Sequence, residues 1–293
     1  MSLVEMTLES QYLHGNTKIS VFLPDCPRDR EPGAFYTSGR KYPVLWLLHG
    51  TFGDHTDWVR RTMLEVYARE RNLICVMPSG LNTDYVNWPG FAAGYDMWNY
   101  FLRELIPLIR GWFPASEKKE DNFITGLSMG GSGALKYLLN NPELFAAGCI
   151  MSWAPFHYDA MEDDSRYALG SDSQRWVNQV RNQGGFEALK NSPENSWRQI
   201  LEQHRAGTLP KLYFTMGGED FLSDYYLEFE AMCRREQIPI TFEMVEGFGH
   251  EWRFWDQALE KAMDFFGIEK DENANVWRGL KKEKNFFTSK ETD

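Results

Sequence analysis

Apolar and polar side chains alternate with a period of two along residues 3–10 and 17–23, the pattern of half-buried antiparallel strands. Beyond them the pattern changes. Six short runs rich in apolar and β-branched residues, at 43–48, 73–77, 122–125, 146–151, 212–216 and 238–245, suit strands covered on both faces. Between most of them, apolar positions recur at helical spacing: 57–70, 97–111, 131–140, 225–236 and 252–266. Strand alternating with helix predicts an α/β architecture, a mostly parallel, doubly wound central sheet with right-handed crossovers and antiparallel N-terminal strands. In such sheets chemistry collects in the loops after the carboxyl ends of the strands. The alternation lapses over 154–210, too long for a simple connection, with helical spacing only at 174–182 and 197–207. This segment reads as a helical lid inserted over a site. Past Gly267 the chain turns charged and polar, with Trp277, Phe286 and Phe287 as its few apolar anchors. The expected organisation is one domain over 1–267 and a tail over 268–293.

Composition narrows the function classes. A hydrophobic content of 43% in 293 residues fills one sizeable core, and no Pro/Ser/Gly-rich linker divides the chain. The net charge of −11 repels phosphate backbones and anionic lipid surfaces, so neither a nucleic-acid nor a membrane partner is expected. No apolar stretch approaches the length that spans a bilayer. Four scattered cysteines, Cys26, Cys75, Cys149 and Cys233, form no CxxC and no disulfide framework. With no basic and apolar leader at the N-terminus, a reducing, cytoplasmic setting is the expectation.

Gly126-Leu127-Ser128-Met129-Gly130 lies at the join between an apolar run and a helix-forming run, the context of a nucleophile elbow. So tight a turn brings strand and helix backbones almost into contact, and a β-carbon at Gly126 or Gly130 would collide there. Acyl transfer by a serine also needs a base, an acid that orients the base, and two donors for the developing oxyanion. Each has a candidate after a predicted strand. His250, in Gly247-Phe248-Gly249-His250-Glu251-Trp252, follows the last strand and is the candidate base. Asp220, in Gly217-Gly218-Glu219-Asp220, follows the strand before it and is the candidate acid, with Glu219 and Asp224 as nearby alternatives. The order Ser128, Asp220, His250 is nucleophile, acid, base. The Met129 amide, at the amino end of the elbow helix, and the Thr51 amide, in His49-Gly50-Thr51-Phe52-Gly53, are the expected oxyanion hole.

These residues resemble the tributyrin esterase branch of the esterase D group of α/β-hydrolases. Leu47-Leu48-His49-Gly50 with Trp58 soon after, Val76-Met77-Pro78, Gly126-Leu127-Ser128-Met129-Gly130-Gly131, Gly218-Glu219-Asp220-Phe221-Leu222 and His250-Glu251-Trp252 match that group's landmarks in its order. The resemblance implies an α/β-hydrolase fold and a serine carboxylesterase acting on short-chain or small aromatic acyl esters. Related members remove acetyl or feruloyl groups from plant polysaccharide or hydrolyse S-formylglutathione, and many self-associate, which leaves a homodimer open. The 154–210 insertion is longer and richer in tryptophan than that branch implies, and the charged tail has no counterpart in it. Both bear on substrate choice and not on the chemistry.

Other readings set the bounds. An acyltransferase would keep the same acyl-enzyme, and a non-catalytic binding module would keep only the scaffold, which a complete set of three side chains argues against. His49 and His55 lack further ligands at metal spacing, so no metal is expected and His49 is read as shaping the oxyanion turn. The chemistry requires no cofactor. Of eleven tryptophans, Trp153, at the end of the strand after the elbow helix, and Trp252, two residues after His250, are the expected substrate contacts. The partner is then a small-molecule or sugar-linked ester. Glu162-Asp163-Asp164 reads as a solvated lid edge.

Overall fold

The computed structural model describes residues 1–161, 173–271 and 274, so Glu162-Asp163-Asp164 and the tail anchors Trp277, Phe286 and Phe287 lie outside the described residues. The chain opens with strands β1 (Ser2–Ser10) and β2 (Gly15–Leu23), then α1 (Pro32–Tyr36), β3 (Val44–Leu48), α2 (Asp57–Arg61), α3 (Leu64–Glu70) and β4 (Ile74–Pro78). A two-residue antiparallel pair, β5 (Asn87–Trp88) and β6 (Tyr95–Asp96), leads into α4 (Met97–Asn99), a π-helical turn (Tyr100–Leu105) and α5 (Ile106–Trp112). Then come β7 (Asn122–Leu127), α6 (Met129–Asn140), β8 (Ala147–Met151), α7 (Ser173–Asn182), α8 (Phe186–Lys190), α9 (Ser196–Ala206), β9 (Lys211–Gly217), α10 (Ser223–Arg235), β10 (Thr241–Val245) and α11 (Trp252–Phe265).

The main sheet has eight strands in the order β1-β2-β4-β3-β7-β8-β9-β10. β1 and β2 form an antiparallel hairpin, β2 joins β4 antiparallel, and every later pairing is parallel. The expected α/β-hydrolase architecture, a mostly parallel sheet with antiparallel N-terminal strands, is the one observed. Two cores form because a strand's alternate side chains leave by opposite faces. Val44, Trp46 and Leu48 of β3, with Ile124 of β7, meet α5, α6 and α10 on one face. Leu45, Leu47, Phe123, Cys149 and Met151 meet α3 and α11 on the other.

Three elements depart from the pattern, each for a local reason. The helix expected over 57–70 breaks at Thr62, whose backbone is extended at φ −137. The Thr62 hydroxyl donates to the Trp58 carbonyl at 2.6 Å, while the Met63 amide donates to Asp256 of α11 at 2.8 Å. The helix expected over 97–111 widens into a π turn just before Pro107. Proline has no amide to give and its ring crowds the carbonyl four residues back, so Ile106 bonds instead to the Phe101 carbonyl. The run 238–245 supplies a strand only from Thr241, because Pro239 cannot donate to a ladder and Gln237 turns the chain at φ 56. As the edge strand, β10 is half-buried and not covered on both faces.

Within the insertion the two expected helices are α7 and α9, and the sequence reading missed α8. Trp197 and Ile200 anchor α9 in the main core, whereas Trp176 and Val180 of α7 pack with Tyr158, Met161 and Leu189 in a small cluster of their own. The start of the expected tail is fixed against α3: buried Arg71 donates to the Ile268 carbonyl at 3.1 Å and pairs with Asp264 at 2.7 Å.

Asn122 fixes where β7 begins. Its side chain, with no exposed surface, accepts from Trp46 Nε1 at 3.2 Å and donates to the Ser116 and Lys118 carbonyls at 2.9 and 2.7 Å. Asn122→Ala strands a buried indole N–H and the Ser116 carbonyl, so urea unfolding is expected to show a loss of about 3 kcal/mol. A loss under about 1 kcal/mol would mean that these bonds do not fix the strand.

Candidate active site

β7 runs into α6 through Ser128, which holds φ 52 and ψ −122, a left-handed conformation rare for a residue with a side chain. The approach of the two backbones enforces it. A β-carbon on Gly126 would lie 2.2 Å from the Gly130 carbonyl oxygen, and one on Gly130 would lie 2.3 Å from the Leu48 carbonyl oxygen. The Ser128 amide donates to the Met151 carbonyl at 2.8 Å, tying the turn to β8. Met129 is the first residue of α6, so its amide has no acceptor within the helix and points from the positive end of the helix dipole.

The loop after β3 lies beside this turn. Burial lowers the His49 imidazole from its usual range, which favours the neutral ring. Its Nε2 lies 2.7 Å from the Gly80 amide, which must donate to it, leaving Nδ1–H to donate to the Gly50 carbonyl at 2.7 Å. The Gly53 amide also reaches the Gly50 carbonyl, at 3.2 Å, and the Phe52 amide donates to Asn82 Oδ1 at 2.8 Å. The Thr51 amide between them has no hydrogen-bond partner among the described residues. His49 thus shapes the loop. Among the described residues no group of three or more His, Cys, Asp or Glu could hold a metal ion.

At the carboxyl end of β9, Asp220 is bent inward by its own amide bonding to Gly217 and by Leu222 donating to Oδ1 at 3.0 Å. Its other oxygen, Oδ2, lies 2.8 Å from His250 Nδ1. The carboxylate is fully buried and the imidazole is partly exposed. Because Nδ1 faces the carboxylate, its proton belongs there, and Nε2 is left as the basic nitrogen. Among the described residues, neither Glu219 nor Asp224 bonds to His250. The ring is gripped by Phe221 at 4.6 Å and, edge on, by Trp255 at 5.0 Å.

Two cavities meet at Ser128. One, of about 440 Å³, is lined by Ser128, Thr51, His250, Phe221 and Trp252. The other, of about 390 Å³, shares Ser128 and Thr51 but is walled by Met129, Trp153 and Trp176. The structure therefore brings Ser128, Asp220, His250, Thr51 and Met129 to one place and divides the two expected tryptophans between the two cavities. No hydrogen bond joins Ser128 to His250 among the described residues. Such contacts are commonly longer before substrate binds. Trp252 is also structural, set edge on to Trp58 at 5.5 Å with the Arg61 guanidinium 5.3 Å above it.

Sequence reasoning missed Arg175. It leaves α7 to reach the Thr51 hydroxyl at 3.0 Å and Asp84 at 3.2 Å. No motif marks it, because its partners lie far away in the chain. Phe221 was also missed, although it adjoins Asp220.

With the geometry in place, comparison with known proteins gives a consistent result. Residues 10–266 match the Esterase family, described as "Putative esterase". The chain is 28% identical over 273 residues to an acetyl esterase of Caldicellulosiruptor saccharolyticus, covering 92% of this chain and all of that protein. It is 26% identical to the S-formylglutathione hydrolase of Bos taurus, over 73% of this chain and 78% of that one. Among solved structures, S-formylglutathione hydrolase from Staphylococcus aureus superposes with a TM-score of 0.74 at 25% identity, covering 92% and 99% of the two chains. The match extends from the end of β1 through α11, taking in every strand end described above; the chain belongs to the Esterase family and is a carboxylic ester hydrolase of the α/β-hydrolase fold.

Proposed function

We propose that this enzyme is a serine carboxylesterase in which Ser128 is the nucleophile, His250 the general base, Asp220 the orienting acid, and the amides of Thr51 and Met129 the oxyanion hole. The observation that carries the reading is the 2.8 Å bond from His250 Nδ1 to a fully buried carboxylate, with the imidazole facing the cavity that contains Ser128. Neutral His250 takes the hydroxyl proton as Ser128 attacks the ester carbonyl, then gives it to the leaving alkoxide. Water repeats the cycle on the acyl-enzyme and releases the acid. Asp220 stabilises the imidazolium that forms in each half. The two amides stabilise the oxyanion by about 3 kcal/mol per donor, which raises rate and not affinity.

The same proton transfer assigns the cavities. The leaving oxygen must meet the imidazole that protonates it, so the alcohol portion belongs in the cavity lined by His250, Phe221 and Trp252. The acyl portion then lies in the other, beside Met129, Trp153 and Trp176. At about 390 Å³ that space far exceeds an acetyl group, and its aromatic walls suit short-chain or small aromatic acyl groups. The substrate in this reading is a small-molecule or sugar-linked ester, in keeping with the acetyl esterase and S-formylglutathione hydrolase names of the relatives. A cytoplasmic location is part of the proposal, on the cysteine usage argued above. A homodimer is compatible with it.

Purified Ser128→Ala is expected to keep its circular dichroism spectrum, lose fluorophosphonate labelling and lose about five to six orders of magnitude in turnover of nitrophenyl butyrate. Hydrolysis retained in that variant would refute the nucleophile. For the cavities, Trp153→Ala should change the preference between butyryl and aryl acyl groups by about tenfold with the alcohol held constant. Trp252→Ala should instead change the preference among alcohols with the acyl group held constant. The opposite pattern would reverse the assignment.

A further inference from the structure

The oxyanion loop is held unevenly. Its base is fixed by His49 and by the bond from the Gly53 amide to the Gly50 carbonyl. Its far side is tied through the Phe52 amide to Asn82. Packing adds little at the apex, since the Phe52 ring is 80% exposed. Between these ties stands Thr51, whose peptide plane decides where the amide of the proposed hole is aimed.

Arg175 holds this residue from the insertion. One guanidinium nitrogen donates to Thr51 Oγ1 at 3.0 Å and lies 3.5 Å from Met129 Sδ. It therefore touches side chains of both residues whose amides converge on the reacting carbonyl. The Arg175 Nε is meanwhile paired with Asp84 at 3.2 Å. Asp84 is itself well fixed. It holds φ 52, and the next residue, buried Tyr85, donates its hydroxyl to the His49 carbonyl at 3.1 Å. The rigid planar fork of arginine suits this task, because it can meet two acceptors in set directions where an ammonium would be a single point charge.

We propose that Arg175 is a positioning residue for ester hydrolysis, bracing Thr51 and Met129 from α7 so that their amides meet the oxyanion and not merely the ground-state carbonyl. The inference rests on the roles of Ser128, Thr51 and Met129 given above. A donor aimed at the transition state contributes to turnover, whereas a residue that only binds substrate contributes to KM. Loss of the brace leaves the donors present but loosely aimed, a smaller fault than removing a donor outright.

The test uses full-length Arg175→Met, which keeps the stem of the side chain and loses its donors. Expected is a fall in kcat of about 10- to 100-fold with KM within about threefold, and no change in circular dichroism. A trifluoromethyl ketone reports on the hole directly: Ser128 Oγ bonds to the ketone carbon, the serine proton passes to His250, and the carbonyl oxygen becomes an oxyanion facing the two amides. Its inhibition constant should rise in parallel with the loss in kcat/KM, while inhibition by the product acid stays within about twofold. Thr51→Val removes the acceptor and keeps the amide, so it should lower kcat in the same way, and the double variant should be no worse than the poorer single one. Should Arg175→Met fail to fold, Thr51→Val decides alone by its kcat and its ketone inhibition. Unchanged kcat, a rise in KM alone, or additive losses in the double variant would overturn the inference. Ser128→Ala, run alongside, separates the failures: activity retained there sinks the nucleophile assignment, whereas an inactive Ser128→Ala beside an unaffected Arg175→Met sinks only the brace.

Discussion

The site depends on one contact, the approach of the β7 backbone to that of α6, where the place of a Gly126 β-carbon is already taken by the Gly130 carbonyl. Nothing larger than hydrogen fits there. The contact forces the chain to reverse within one residue, and that residue is Ser128, held at φ 52. Left-handed dihedrals cost of order 1–3 kcal/mol and persist only where the surroundings leave no alternative. Here β8 supplies the Met151 carbonyl on one side and the β3 carbonyls crowd Gly130 on the other. A helix starting directly at Met129 follows, and with it an amide that has no acceptor within the helix, beside the hydroxyl.

From this turn the rest of the site is a matter of strand order. β3, β7, β9 and β10 all end at the same edge of the sheet, so the loops carrying Thr51, Ser128, Asp220 and His250 face one another although 199 positions separate the first from the last. Burial then divides the labour. The Asp220 carboxylate has no exposed surface and faces an imidazole that is partly open to the cavity. In the mechanism proposed, the orienting carboxylate thus lies on the dry side and the proton transfers on the wet side.

Much of this was legible in the sequence, and the limits are instructive. The alternation in 3–10 and 17–23 and the apolar runs after them gave nearly every strand, because burial on both faces writes itself into consecutive residues. Gly126 and Gly130 located the turn for a steric reason readable without coordinates. The failures came where distant residues intervene. Thr62 breaks a helix partly because Asp256 captures the Met63 amide from 193 positions away. Arg175 meets Thr51 across 124 positions, and no periodicity records such a meeting. Pro107 and Pro239, by contrast, were visible signals whose local effect, a π turn and a late strand start, simply needed weighing. For Asp220 the sequence offered Glu219 and Asp224 as rivals, and only the direction of the loop, set by the Leu222 and Gly217 bonds, distinguishes them.

The two cavities that share Ser128 have a further consequence for the order of events. In the mechanism proposed, the alcohol departs past His250 while the acyl group stays lodged on the far side, beneath α7. The vacated chamber is the one that His250 lines, so water entering it meets the imidazole. An acyl-enzyme with a bulky passenger would therefore leave its own hydrolysis unobstructed.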